Sequence, residues 1–303
     1  MKAVEFNNVT KTYFGKKALN QLSFSIEDNT ITGLVGRNGA GKTTLMKIAA
    51  GYLKPSSGTA KVFSENPFES LHVSLNSIFV DDGMVFPSAL PLGEILQEGA
   101  RFYPNWNDRL ARRLLDYFSL DPKNYHNRLS KGKTSIFNAI VGLASRCPLT
   151  MFDEPTTGMD EAARKDFYRA LLKDYLDHPR TIILSSHHLE EIEDLLENIL
   201  LIQGGQNFLH LPMSEFSSWA IAVRGSVEVV RDILDGREII YEKTLGKNTI
   251  QAVVRNELTK NEVSDLRGTG AELFPVSSSD LFVYLTNKEK GGIDDVFNEN
   301  ESR

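Results

Sequence analysis

The chain has 303 residues, 41% hydrophobic and 24% charged, with a net charge of −6 and a single cysteine, Cys147. These values fit a soluble globular protein of one large domain or two ordinary ones, and they exclude an internal disulfide. No run of 18 uninterrupted apolar residues occurs, so no bilayer-spanning helix is expected, and the acidic balance argues against nonspecific binding of nucleic acid.

The N-terminus, Met-Lys-Ala-Val-Glu-Phe, lacks a signal peptide's apolar core, which predicts a cytoplasmic location. Up to about residue 210, apolar runs alternate with amphipathic stretches, the pattern of an α/β domain. Strands are predicted at Val4–Val9, Leu22–Ile26 and Ile31–Val35, then a helix over Lys42–Ala50. Between the last two lies Gly36-Arg37-Asn38-Gly39-Ala40-Gly41-Lys42-Thr43-Thr44, the G-x-x-x-x-G-K-T phosphate loop. Glycine permits positive φ and close backbone approach to an anion. Successive N–H groups from Gly36, Asn38, Gly39, Ala40, Gly41 and Thr44 can therefore cradle phosphates at a helix N-terminus. Lys42 is expected to reach the β- and γ-phosphates, and the Thr43 hydroxyl to hold Mg²⁺. The chain is predicted to bind a nucleoside triphosphate.

A strand at Ser77–Val80 follows, then helices at Gly93–Arg101, Asp108–Phe118 and Lys131–Arg146. The next strand, Leu149–Phe152, ends in Asp153-Glu154-Pro155. An apolar strand that finishes in Asp at a sheet's C-terminal edge points a carboxylate at the phosphate-bound Mg²⁺. Glu154 beside it is placed to polarise the attacking water. A helix over Ala162–Leu176, a strand at Thr181–Leu184, a helix over His188–Glu197 and a strand at Ile199–Ile202 complete this region. His187 and His188 are adjacent and share no helical face, and no H-E-x-x-H occurs, so a histidine metal site is not expected.

A second region begins near Leu211–Pro212. It reads strand (Ala220–Val223), helix (Val227–Leu234), strand (Glu238–Thr244), strand (Thr249–Val254), helix (Asn261–Leu266) and strand (Glu272–Phe274). That is the βαββαβ order of a split βαβ unit. A short helix over Asp280–Leu285 and a polar tail from Lys288 are expected after it.

The order of motifs resembles the ATP-binding subunits of bacterial ABC transporters, over residues 1 to about 210. Leu129-Ser130-Lys131-Gly132-Lys133, alone an ordinary helix N-cap, is similar to the family's signature, usually Leu-Ser-Gly-Gly-Gln; Ser130 and Gly132 match, and the two lysines depart. Tyr13 stands where the family stacks an aromatic ring on adenine. Thr157-Gly158-Met159-Asp160 resembles the D-loop, which implies an Asp160 that acts across a dimer interface. His187 matches the switch histidine near the γ-phosphate. Where the family carries the Q-loop glutamine this chain has Asp81-Asp82-Gly83, and Asp81 aligns as a further Mg²⁺ ligand.

The resemblance implies a P-loop NTPase of the ABC type, with antiparallel and helical subdomains over residues 1–210 and a small α+β accessory domain over 211–303. Implied with it are ATP and Mg²⁺ as cofactors, Lys42, Glu154 and His187 as catalytic groups, and Thr43, Asp153 and Asp81 around the metal. Two nucleotide-binding domains, as a homodimer or heterodimer, would meet head to tail and drive integral-membrane permease subunits docked near Asp81–Ile95. The protein would then lie at the inner face of the cell membrane. The Lys-Gly signature variant and the segment Ser279–Thr286 resemble drug and bacteriocin-immunity exporters. A soluble ABC ATPase of translation or repair is the alternative, but one motif set and no long coiled-coil insertion speak against it. A nucleotide-dependent regulator without transport is another. A GTPase is disfavoured because Asn287-Lys288-Glu289-Lys290 lacks the Asp of the guanine-reading Asn-Lys-x-Asp.

Overall fold

The computed structural model describes residues 1–259, 263 and 268–286. The chain divides into two compact units, Met1–Ser214 and Glu215–Arg303. The first runs β1 (Lys2–Tyr13), β2 (Lys16–Glu27), β3 (Ile31–Val35), α1 (Lys42–Ala49), β4 (Ser57–Val62), α2 (Leu71–Asn76), β5 (Ser77–Val80) and α3 (Leu92–Phe102). It continues with α4 (Asp108–Tyr117), α5 (Lys131–Ser145), β6 (Leu149–Asp153), α6 (Glu161–Asp177), β7 (Thr181–Ser186), β8 (Asn198–Gln203) and β9 (Gln206–Pro212).

Two sheets result. An antiparallel sheet has the order β2-β1-β4, and a six-stranded sheet has the order β5-β6-β7-β3-β8-β9. In the larger sheet β5 through β8 pair in parallel, and β9 turns back antiparallel on β8. Continuous apolar runs suit strands covered on both faces, and β3, β5 and β7 are buried along their whole length. Helix α1 contacts strands of both sheets. Its Leu45 and Ile48 share one buried cluster with Phe6 and Leu22 of the small sheet and Met151, Ile183 and Leu200 of the large one. Each such fully buried side chain contributes roughly 1.5–3 kcal/mol, and together they fix the loop before α1 against the strand ends.

Strand β4 carries few apolar residues, and its Gly58 is required at φ +80°, where a Cβ would lie 2.3 Å from the Asn8 carbonyl oxygen. The predicted helix over His188–Glu197 is not formed. Two 3-10 turns, Leu189–Glu191 and Glu193–Leu195, stand in its place. Leu196 packs on Gly33, where a Cβ would meet its Cδ1 at 2.4 Å, and the Glu197 amide donates to Ile31 O (2.9 Å). The chain must re-enter the sheet beside β3 within a few residues, so tertiary pairing overrides the helical pattern.

Beneath α6, Asp174 is buried between two guanidinium groups. Arg146 Nη2 lies 2.6 Å from its Oδ1 and Arg180 Nη1 lies 2.9 Å from its Oδ2. Cys147, next to this cluster, is 2% exposed, and burial pushes its thiol up to about 11. The thiolate is the reactive form, so iodoacetamide at pH 7.5 will leave the native chain unlabelled by mass spectrometry and modify it after denaturation. Rapid native labelling would contradict this burial.

A single turn, α7 (Met213–Phe216), spans the boundary between the units. The second unit contains β10 (Ala220–Ser226), α8 (Val227–Ile233), β11 (Ile239–Thr244), β12 (Thr249–Arg255), β13 (Glu272–Pro275) and α9 (Ser278–Thr286). Its sheet order, β11-β12-β10-β13 with every pair antiparallel, is that of a split βαβ unit. Val223, Val230, Leu234, Ile250, Ala252 and Val254 form its core. Apart from Val263, the predicted helix over Asn261–Leu266 lies outside the described residues, as does the tail from Lys288.

Candidate active site

The C-terminal ends of β3, β5, β6 and β7 lie side by side in the large sheet, where ligands bind in open α/β folds. After β3 the chain turns through Gly39 (φ +80°) and Gly41 (φ +110°) into α1. At Gly41 a Cβ would approach the Ala18 carbonyl oxygen to 2.6 Å, so only glycine fits. Helix α1 starts without a side-chain cap. Its first N–H groups and dipole are thereby available to an anion.

Lys42 is 6% exposed and donates from Nζ to Gly36 O (2.7 Å), which holds its ammonium over the loop. The same Nζ lies 3.4 Å from Glu154 Oε1. The other Glu154 oxygen, Oε2, is 3.0 Å from His187 Nδ1. Glu154 takes φ +47°, an uncommon left-handed backbone for this residue type. Such strain is held only where surroundings over-determine it, and here the Glu154 amide is fixed by donation to Ser185 Oγ (2.9 Å).

Asp153 is anchored at both oxygens. Thr43 Oγ1 donates to Oδ2 (2.5 Å) and Ser185 Oγ to Oδ1 (2.6 Å). Register places Asp153 directly opposite Ser185 in the β6–β7 pair. Ser185 therefore orders both acidic residues, a role that only the pairing of β6 with β7 reveals. The Thr43 hydroxyl and the Asp153 carboxylate are hard oxygen donors brought to one point beside Lys42. That donor set fits Mg²⁺, which prefers oxygen ligands completed by water and phosphate.

Lys42, Thr43, Asp153 and Glu154 open on a cleft of about 550 Å³ lined also by Tyr13, Asn38, Gly39, Ala40, Gly41, Thr44 and Asp82. Tyr13 is exposed at its edge, with Lys11 Nζ 5.3 Å from the ring centroid. Asp81 does not line the cleft. Its Oδ2 lies 3.7 Å from Lys47 Nζ of α1, and burial raises its carboxyl above the usual range while Lys47 opposes the rise.

Ser130, Gly132 and Asp160 are not brought to the cleft. Ser130 caps α5, accepting from the Lys133 amide, and Asp160 caps α6, accepting from the Ala163 amide (2.8 Å). Gly132 touches the loop after β6 so closely that a Cβ would stand 2.3 Å from Gly158 O. One chain thus assembles the phosphate loop, the two carboxylates, His187 and Tyr13, with the signature and Asp160 elsewhere.

A glycine-rich loop opening a helix, a buried lysine over it and an Asp–Thr pair alongside define a P-loop nucleoside triphosphatase site. Residues 19–157 match the family described as ABC transporter. The chain is 26% identical over 196 residues to the ABC transporter ATP-binding protein YtrB of Bacillus subtilis, covering 65% of this chain and 67% of that protein. It is 28% identical over 212 residues to the bacitracin transport ATP-binding protein BcrA of Bacillus licheniformis, covering 69% of each. Against the Nod factor export ATP-binding protein I of Sinorhizobium fredii, identity is 27% over 295 residues, 95% of this chain and 78% of that one. Among solved structures, an ATP-binding subunit of an ABC transporter superposes with a TM-score of 0.64 at 21% identity, covering 71% of this chain and 91% of that one. The dimeric post-hydrolysis ATP-binding cassette MJ0796, bound to ADP and Pi, gives 0.59 at 19% identity, covering 69% and 98%. Residues 19–157 are thus identified as an ABC transporter ATP-binding domain, and the chain is an ATPase.

Proposed function

We propose that this chain is the ATP-hydrolysing subunit of an ABC exporter and works as a head-to-tail dimer. Each ATP would lie between the cleft of one copy and Ser130 and Gly132 of the other, with Asp160 at the seam. The observation that carries this is the separation of Ser130 from the cleft lined by Lys42, Asp153 and Glu154. A helix N-terminus bearing a hydroxyl and lysines at positions 131 and 133 is suited to a γ-phosphate, yet this chain's own cleft does not use it.

Within the site, Lys42 and the loop amides bind the triphosphate, and Tyr13 stacks on the base. Thr43 and Asp153 would hold Mg²⁺, which when bound would supply positive charge against the triphosphate. Glu154, aimed by Lys42 and Ser185, takes a proton from the attacking water, and His187 keeps that carboxylate oriented. Catalysis of this kind is positioning plus electrostatics. The nucleotide-binding domain is proposed over Met1–Ser214 and an accessory domain over Glu215–Arg303, past the expected boundary at 210 because β9 runs to Pro212.

Among the described residues no helix is long and apolar enough to cross a membrane. Integral-membrane permease subunits are therefore proposed to receive the motion, docking near Asp81–Ile95 and holding the protein at the inner face of the membrane. The relative named for Nod factor export, aligned over 95% of this chain, supports outward transport.

An intermolecular disulfide tests the dimer. In a Glu154→Gln background, Asn38→Cys and Ser130→Cys chains mixed under mild oxidation are expected to crosslink with ATP and not without it, read by non-reducing gel. Equal crosslinking in both conditions, or none in either, overturns the shared-site arrangement.

A further inference from the structure

Asp81 follows β5 where the resemblance places the family's glutamine; it feels the Asp153 and Asp82 carboxylates, and its own carboxylate turns to Lys47. Its Oδ2 lies 3.7 Å from Lys47 Nζ, and that ammonium also sits 5.9 Å from the Phe79 ring centroid. The Asp81 carbonyl accepts from Asn138 Nδ2 of α5 (3.1 Å). Asn138 is 1% exposed, and its Oδ1 is 2.8 Å from His126 Nε2, three residues before Leu129 of the signature segment. Asp82, by contrast, is exposed and lines the cleft together with Asp153 and Thr43.

From this geometry we infer that Asp81 is a positioning residue, tying α1 to α5, while Asp82 presents the carboxylate that faces the nucleotide-bound cation. The inference rests on the MgATP reading above and assigns a regulatory geometry to that site. A carboxylate moving from Lys47 to a cation would abandon a charge-assisted contact in a half-buried pocket, where charge pairs are less screened than in water. Among the described residues, no cationic side chain pairs with Asp82. Asp81 instead connects the helix that begins with Lys42 and Thr43 to the helix that begins at the Ser130 cap. Closing a partner's signature on ATP would then bear on the phosphate loop through one residue.

The test uses the full chain with ATP and MgCl2 as probes, reading both ATP binding and phosphate release during a Mg²⁺ titration. Asp82→Asn is expected to raise the half-saturating Mg²⁺ by about tenfold or more, the scale of losing a partner of a bound metal. Asp81→Asn and Lys47→Met are expected to leave that midpoint within about twofold and to lower kcat by roughly 10–100-fold, as a misplaced site does. The exchanged pair Lys47→Asp with Asp81→Lys should recover much of the kcat, which a residue acting on the cation could not do. A Mg²⁺ midpoint that moves in Asp81→Asn and not in Asp82→Asn overturns the inference, as does an exchanged pair that stays as slow as the single variants. If the wild-type chain bound ATP equally with and without Mg²⁺, the MgATP reading itself would fail, independently of either aspartate.

Discussion

Replacing Glu154 with glutamine is expected to lower ATP turnover by about 10²–10⁴-fold while ATP remains bound, the scale of removing a general base. The amide keeps the size of the side chain and its left-handed backbone, so the loop between Asp153 and Gly158 retains its course. What disappears is the proton acceptor between Lys42 Nζ (3.4 Å) and His187 Nδ1 (3.0 Å). Lys42 keeps its bond to Gly36 O, so the phosphate cradle survives. Steady-state phosphate release and equilibrium ATP binding on the same preparation separate the two effects. Turnover equal to wild type would remove Glu154 from the chemistry.

The second large effect concerns stability. Asp174→Ala leaves the guanidinium groups of Arg146 and Arg180 facing each other without their shared carboxylate. Arg180 is 4% exposed, and burial already lowers its pKa, with Asp174 as the main opposing influence. Breaking a buried pair from one side costs about 3–5 kcal/mol, because the remaining charge has no compensation. Urea unfolding should show that loss as a lower midpoint with an unchanged slope. Replacing all three residues by leucine or methionine should recover most of it, since well-packed apolar groups of similar volume often substitute for buried ions. A loss below 1 kcal/mol for Asp174→Ala would mean that water reaches the cluster.

The parts of this molecule that could be read from the sequence are those specified locally. The run Ile31–Val35 and the loop after it obey short-range rules of apolar continuity and glycine geometry, and β3 has the predicted bounds. Strand β4 went unread because Ser57–Val62 is an edge strand whose pairing with β1, not its composition, makes it extended. Strand β9 escaped for the same reason, since Gln206–Pro212 becomes a strand by lying along β8. The turns after His188 show the reverse failure, a helical period overruled by the pull of Leu196 and Glu197 into the sheet. In the site, Lys42, Thr43, Asp153, Glu154 and His187 announce themselves by motif. Ser185 and Lys47 do not, because their importance lies in which strand and which helix stand beside them.

One contact reaches further than its size suggests. The backbone of Gly132 presses on Gly158, and Ser135 Oγ donates to Thr157 O (2.7 Å). The start of α5 and the loop carrying Glu154 are thus mechanically one body. In the proposed paired assembly, whatever one copy's ATP does to the neighbour's Ser130 would be passed on to the neighbour's own hydrolytic carboxylate. Two such half-sites would then fire together, and the ATP dependence of hydrolysis is expected to rise more steeply than a simple hyperbola.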